Sequence, residues 1–141
     1  MKALLVAASL MLAVPTVSTA GMLSVISKYQ GMHEVKNRAS LKRMIGVDPR
    51  RVPWCGAMMT YVAKRAGRKP PVGSFKAAAW QRFGKTVKRS QARPGDIAVV
   101  RYGQHVMIFT GFKSGKACGW AGNTSNRVAH GCWGGLISVR R

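Results

Sequence analysis

Residues 52–67 read VPWCGAMMTYVAKRAG. Trp54, Ala57, Met58, Tyr61, Val62 and Arg65 recur at spacings of three and four, the period of an amphipathic helix. Pro53 suits a first helical turn, where its missing N–H is not needed. Lys64 and Arg65 stand in the last turn and Gly67 closes it, so the spacing predicts a helix over 54–66. This helix carries Cys55 in its first turn. The thiol is a core residue, half of a disulfide, or a nucleophile, and the choice decides the function.

Upstream, MLSVISKYQ (22–30) has a short helical pattern, and Leu41, Met44 and Ile45 recur at helical spacing before Gly46. Asp48-Pro49 opens a turn that leads into the Cys55 helix. Downstream, RKPPVG reads as a rigid loop, and Ser74 is a good N-cap for a third helix, FKAAAWQRF, ended by Gly84. The pattern then changes period. RPGDIAVVRY enters a strand from a Pro-Gly turn. In QHVMIFTGF, His105, Met107 and Phe109 alternate with Val106, Ile108 and Thr110. KACGWAGN and RVAHGCW read as a hairpin about residues 124–126, and LISVRR as a last short strand. Helices followed by an antiparallel sheet make an α+β layout in one domain.

The N-terminus has the features of a secretory signal peptide. Lys2 precedes an apolar run at 3–14, Pro15 interrupts it, and Ser18 and Ala20 are small. Cleavage is expected between Ala20 and Gly21, leaving residues 21–141 as the mature domain. The alternative is a retained anchor, but the run is short for a membrane span. Export to the periplasm or beyond places the chain where cysteines pair. Its three cysteines leave one over. Cys118 and Cys132 flank the turn-rich GNTSNR symmetrically, so they are expected to bridge across the hairpin, the alternative being two free thiols. Cys55 is then the odd cysteine.

The 24 Lys and Arg stand against 3 Asp and Glu, a net charge of +21. That excess fits anionic partners: nucleic acid, lipid head groups or cell-wall polymers. No Cys-x-x-Cys occurs, nor any His pair three or four residues apart, so neither a metal nor a cofactor is expected. Three acidic residues offer few candidates for a two-carboxylate glycosidase. A cysteine nucleophile needs a histidine within reach and a group to orient it. The first turn of a helix favours its thiolate, and uncapped N–H groups there can serve as an oxyanion hole. His105, at a strand start after the RYGQ turn, is preferred over His33 and His130 as the base. Asn123, Asp96 and Glu34 compete to orient it.

In order along the chain, VPWCGAMMTYVAKRAG, RPGDIAVVRYGQHVMIFTGF and WAGNTSNRV resemble the bacterial and phage cell-wall cysteine hydrolases. These are the NlpC-type endopeptidases and the CHAP domains. The likeness is to a compact, often phage-associated branch and spans most of residues 22–141. It implies a papain-like fold with Cys55 as nucleophile, His105 as base and Asn123 as the polar orienting residue. It also implies amide hydrolysis in the peptide part of peptidoglycan by a monomer, with substrate contacts from Trp54, Glu34 and Gln104. Glu34 and Asn37 match an early E…N feature of this branch. Gln104 departs from the usual glycine, Met107 from a small residue, and AGNTSN from GGNQSN. Wall polymers or lipopolysaccharide would be held by the basic surface, with no specific nucleic acid. The competing expectation is a non-catalytic cationic protein that binds nucleic acid or anionic envelope polymers.

Overall fold

Three helices precede a five-stranded sheet in this computed structural model, which describes residues 20–141. The helices are α1 (Ala20–Ser27), α2 (Arg38–Ile45) and α3 (Cys55–Arg65). The strands are β1 (Ile97–Val100), β2 (His105–Lys113), β3 (Lys116–Thr124), β4 (Arg127–Trp133) and β5 (Ser138–Arg140). They pair antiparallel in the order β4-β3-β2-β1-β5. This is the expected α+β layout. The expected signal peptide lies outside the described residues except for Ala20. No helix among the described residues is long and apolar enough to cross a membrane.

The two sheet faces follow the period-two alternation of the strands. Ile97, Val99, Val106 and Ile108 face the helices and meet Met22, Ile26, Leu41, Ile45, Met58 and Val62 in the main core. Ala98, Val100, Met107 and Phe109 turn to a second cluster with Ala117 and Ala121. Small side chains on that face leave room for Trp133. A Cβ on Gly131 would come within 2.7 Å of the Trp133 ring, so only glycine fits beneath it.

The first turns of α3 are enclosed on all sides, Cys55 through Thr60 being buried. Two glycines permit this. A Cβ on Gly56 would lie 2.3 Å from the Phe75 carbonyl oxygen, so the 74–75 loop lies across the helix start. On the other side the sheet approaches at Gly122 of β3. There a Cβ would lie 2.7 Å from both Met58 Cβ and Trp54 Cζ3. The indole of Trp54 is fully buried and donates to Glu34 Oε2 at 3.2 Å.

The segment expected as a third α-helix is a 3-10 helix, Ala77–Arg82, and Ser74 does not cap it. Ser74 is committed elsewhere. Its hydroxyl accepts from Thr60 on α3 at 2.7 Å, and its carbonyl accepts the Trp80 indole N–H at 2.8 Å. These bonds hold the loop against α3. The β3–β4 hairpin is where the turn residues predicted it. Ser125 and Asn126 both have positive φ, 48° and 62°, between the paired Thr124 and Arg127. Such a two-residue turn matches the twist of its strands. Cys118 and Cys132 are direct cross-strand partners and form a disulfide, leaving Cys55 as the free thiol.

Gly122→Ala will force the new methyl into Trp54 and Met58. Overpacking of this kind costs about 1–3 kcal/mol. Urea denaturation should show that loss, whereas an unchanged midpoint would mean β3 can retreat from α3 freely.

Candidate active site

The N-terminus of α3 meets the start of β2, and Cys55 and His105 arrive there from opposite elements. Trp54 holds the cap position without a side-chain hydrogen bond, so the first N–H groups of the helix are left uncapped. Asn123 arrives from β3 through an irregularity. The β3–β4 pairing shifts between Ala121 and Thr124, and Asn123 there has φ +56°. Asparagine tolerates this left-handed conformation better than most residues. A bulge at such a point re-aims a side chain out of the strand's alternation. The β2–β3 pairing reaches Ile108 and Trp120, which brings the two chain segments that carry His105 and Asn123 to the same end of the sheet.

Cys55, His105 and Asn123 line one cavity of about 750 Å³. Its walls are apolar at Val47, Val52, Pro53, Phe75 and Ala77, and polar at Gln104, Lys76 and Arg101. Gln104, expected to contact substrate, is on this wall and exposed. Two other expected contacts are placed differently. Trp54 has no exposed surface, and Glu34 is bonded to it away from the cavity. Both residues secure the start of α3 in place of lining a binding surface.

The competing histidines are engaged elsewhere. His33 Nδ1 accepts the Val35 N–H, and His130 Nε2 pairs with the Thr110 hydroxyl at 2.8 Å. The competing orienting group Asp96 is fully buried and bound by Arg141, at 2.7 and 2.8 Å. Asn37, matched to the early E…N feature, accepts the His33 N–H within its own loop. Among the described residues no group of three or more His, Cys, Asp or Glu side chains gathers to hold a metal ion.

The electrostatics differ from expectation. Burial pushes the Cys55 thiol up, although the backbone N–H groups of Val106, Gly56 and Cys55, and then the Arg101 charge, favour the thiolate. His105 is lowered to about 4, first by burial and then by Arg101. The resting pair is therefore a thiol and a neutral imidazole. His105 Nε2 is buried without a hydrogen-bond partner. The imidazole packs instead on Trp133, with ring centroids 4.5 Å apart. Trp133 carried no signal in the sequence, because its role depends on how the chain after β4 returns. Gly134 and Gly135 carbonyls accept the Arg101 and Tyr102 N–H groups at 2.9 and 3.0 Å, which fixes the turn before His105.

No model of a known protein family and no curated protein matches the chain. Solved structures do. The peptidoglycan hydrolase RipB of Mycobacterium tuberculosis is similar with a TM-score of 0.63 at 19% identity, over 87% of this chain and 63% of RipB. RipD of the same organism, described as a non-catalytic NlpC/p60 domain protein adapted to peptidoglycan binding, is similar with a TM-score of 0.60 at 17% identity. That match covers 91% of this chain and 98% of RipD. A P60 domain from an antigen of Mycobacterium avium subspecies paratuberculosis is similar with a TM-score of 0.59 at 17% identity, over 87% of this chain and 93% of that domain. The chain spans 61% of the RipA structure it matches. These likenesses show the fold: the chain has the α+β architecture of the NlpC/p60 domain proteins.

The lowered His105 has a consequence for stability. Unfolded histidine titrates near 6.5 and the folded one at about 4, so the unfolded chain binds the extra proton between those values. Stability is full above pH 6.5 and falls as the pH drops toward 4, by about 3 kcal/mol from this group. His105→Gln should flatten that limb in urea titrations at pH 4, 5, 6 and 7. A variant with the wild-type slope would mean that His105 is not desolvated.

Proposed function

We propose that the chain is an exported peptidoglycan hydrolase that cleaves an amide bond of the wall peptide. Its signal peptide is residues 1–20 and its hydrolase domain residues 21–141. The observation that carries this reading is the convergence of Cys55, His105 and Asn123 on one cavity at the uncapped end of α3. The fold of peptidoglycan-acting proteins supports it.

In this reading the imidazole accepts the Cys55 proton as sulfur attacks the carbonyl carbon. The first N–H groups of α3 receive the developing oxyanion, as preorganised donors do in acyl transfer. His105 then gives its proton to the leaving amine, and a thioester remains on Cys55. Water attacks it with His105 again as base, releasing the carboxylate and regenerating the thiol. Asn123 orients the imidazole without adding charge, and Trp133 supports its other side. The chain works as a monomer without a cofactor, and its large excess of Lys and Arg holds it on anionic wall polymers or lipopolysaccharide.

A second reading is favoured by one observation. No hydrogen bond joins Cys55, His105 or Asn123 to another, and His105 Nε2 has no partner. RipD is described as a non-catalytic peptidoglycan-binding form of this fold. A pure binder would hold peptidoglycan and release nothing.

Purified peptidoglycan incubated with the wild type should lose turbidity and release peptide fragments, whose masses identify the bond cut. Cys55→Ala should reduce the rate about 10³-fold or more, as loss of a nucleophile does. Pelleting with peptidoglycan without fragment release, in wild type and variant alike, would establish the binder and sink the hydrolase.

A further inference from the structure

The β2–β3 hairpin ends in a two-residue turn, with Ser114 and Gly115 at φ +50° and +75° between the paired Lys113 and Lys116. Like charges directly opposite each other on adjacent strands destabilise their pairing. A carboxylate nearby would relieve this, but all three acidic side chains of the protein are committed elsewhere. Glu34 accepts from Trp54, Asp48 pairs with Arg38 and Arg51, and Asp96 is held by Arg141. The fold instead adds a third cation. Arg89, from the segment before β1, donates to the Gly115 carbonyl at 3.0 Å and lies over the Phe112 ring, 4.5 Å from its centroid. Arg89, Lys113 and Lys116 are all exposed, as is the turn between the two lysines. Three cations thus meet at one exposed tip with no acidic side chain to balance them.

An aromatic ring sits among these charges. Phe112 is 42% exposed, and its ring rests on the buried Phe109 of the second core cluster, with centroids 4.9 Å apart. A ring anchored in the core on one side, open on the other and rimmed by cations has the make-up of a surface that meets lipid head groups. Single-stranded nucleic acid uses open ring faces for stacking. Phe112 has a guanidinium over one face and Phe109 against it, so it does not offer a base that platform. A hairpin turn also presents an end and not a channel, which suits a plane of head groups better than a single threaded chain.

We propose that the β2–β3 tip docks the protein on an anionic lipid bilayer, with Arg89, Lys113 and Lys116 meeting lipid phosphates and Phe112 entering the head-group layer. This goes beyond the hydrolase reading and does not depend on it. The bilayer phosphates supply the negative charge that the Lys113–Lys116 pair lacks within the protein. The placement also keeps the two ends of the sheet apart. His105 opens β2 and Lys113 ends it, so the tip stands roughly 25 Å from the imidazole at the usual rise of a strand. A bilayer held at the tip therefore leaves the cavity of Cys55 open at the far end.

The test mixes residues 21–141, which hold both core clusters, with vesicles of phosphatidylglycerol and phosphatidylcholine and with vesicles of phosphatidylcholine alone. At about 0.1 M salt, charges more than roughly 10 Å from the surface are screened. Wild type should sediment with the anionic vesicles and stay in solution with the neutral ones. Lys113→Gln/Lys116→Gln should cut that partition about 20-fold, the scale of two cations at a negative surface. This variant removes the like-charge pair and keeps the Arg89 bond, so the fold is retained. Lys36→Gln/Arg127→Gln removes the same charge at the other end of the sheet, where Arg127 opens β4, and should change partition by less than about threefold. Equal losses in the two variants, or equal binding of wild type to both vesicles, overturns the inference. Inorganic polyphosphate probes the other source of phosphate. If Lys113→Gln/Lys116→Gln loses polyphosphate binding and keeps vesicle binding, the tip takes a free chain and the bilayer is overturned. The readout is partition, so the result stands whether or not the chain cleaves peptidoglycan.

Discussion

The contact of Gly122 with Trp54 sets the position of the rest of the molecule. The indole lies fully buried against a β3 residue that has no side chain, and its N–H is held by Glu34. Cys55 is the next residue in sequence, so the placement of Trp54 fixes the start of α3 relative to the sheet. Gly56 does the same for the opposite side by admitting the Ser74–Phe75 backbone. The helix end is thereby clamped between a strand and a loop. A thiol in that clamp cannot drift from the β2 backbone, whose Val106 N–H acts on it.

The clamp has an electrostatic cost that the helix end does not offset. A helix terminus stabilises a nearby negative charge by roughly 0.3–1 kcal/mol, reaching about 2 in favourable partly buried sites. Deep burial can shift an ionisable group by about 3–5 pKa units in the opposite sense. Burial dominates here, and Cys55 rests as a thiol. The same burial lowers His105, so neither partner carries charge at neutral pH. A strongly basic protein thus encloses an uncharged pair.

Much of the fold was legible because it rests on local patterns. The α3 helix follows from the spacing of Trp54, Met58, Tyr61 and Val62, and the β3–β4 hairpin follows from turn residues placed midway between Cys118 and Cys132. The 3-10 segment at Ala77–Arg82 was misread because Ser74 looks like a cap in isolation. Its oxygens are claimed by Thr60 and Trp80, which lie apart from it in sequence. Within the candidate site, order and residue type singled out Cys55, His105 and Asn123, and the three line one cavity. Trp54 and Glu34 were assigned to the wrong task, since sequence distance does not say which way an indole points. Trp133 was invisible for the converse reason. It reaches the imidazole only because small residues on β3 and β4 leave that face of the sheet open.

Arg101 shows why the charges around the pair must be read together. Its cation lowers the pKa of Cys55 and also that of His105. The first effect favours giving up the thiol proton, and the second disfavours receiving it on the imidazole. For a proton passed from one to the other these effects oppose, so Arg101 does little to drive the transfer itself. Its strained turn, in which Arg101 and Tyr102 have φ +51° and +54°, is therefore not explained by activation of the thiol. Strain of that kind costs on the order of 1–3 kcal/mol per residue and persists where surrounding structure enforces it. Within the protein no carboxylate lies in the cavity to meet the guanidinium.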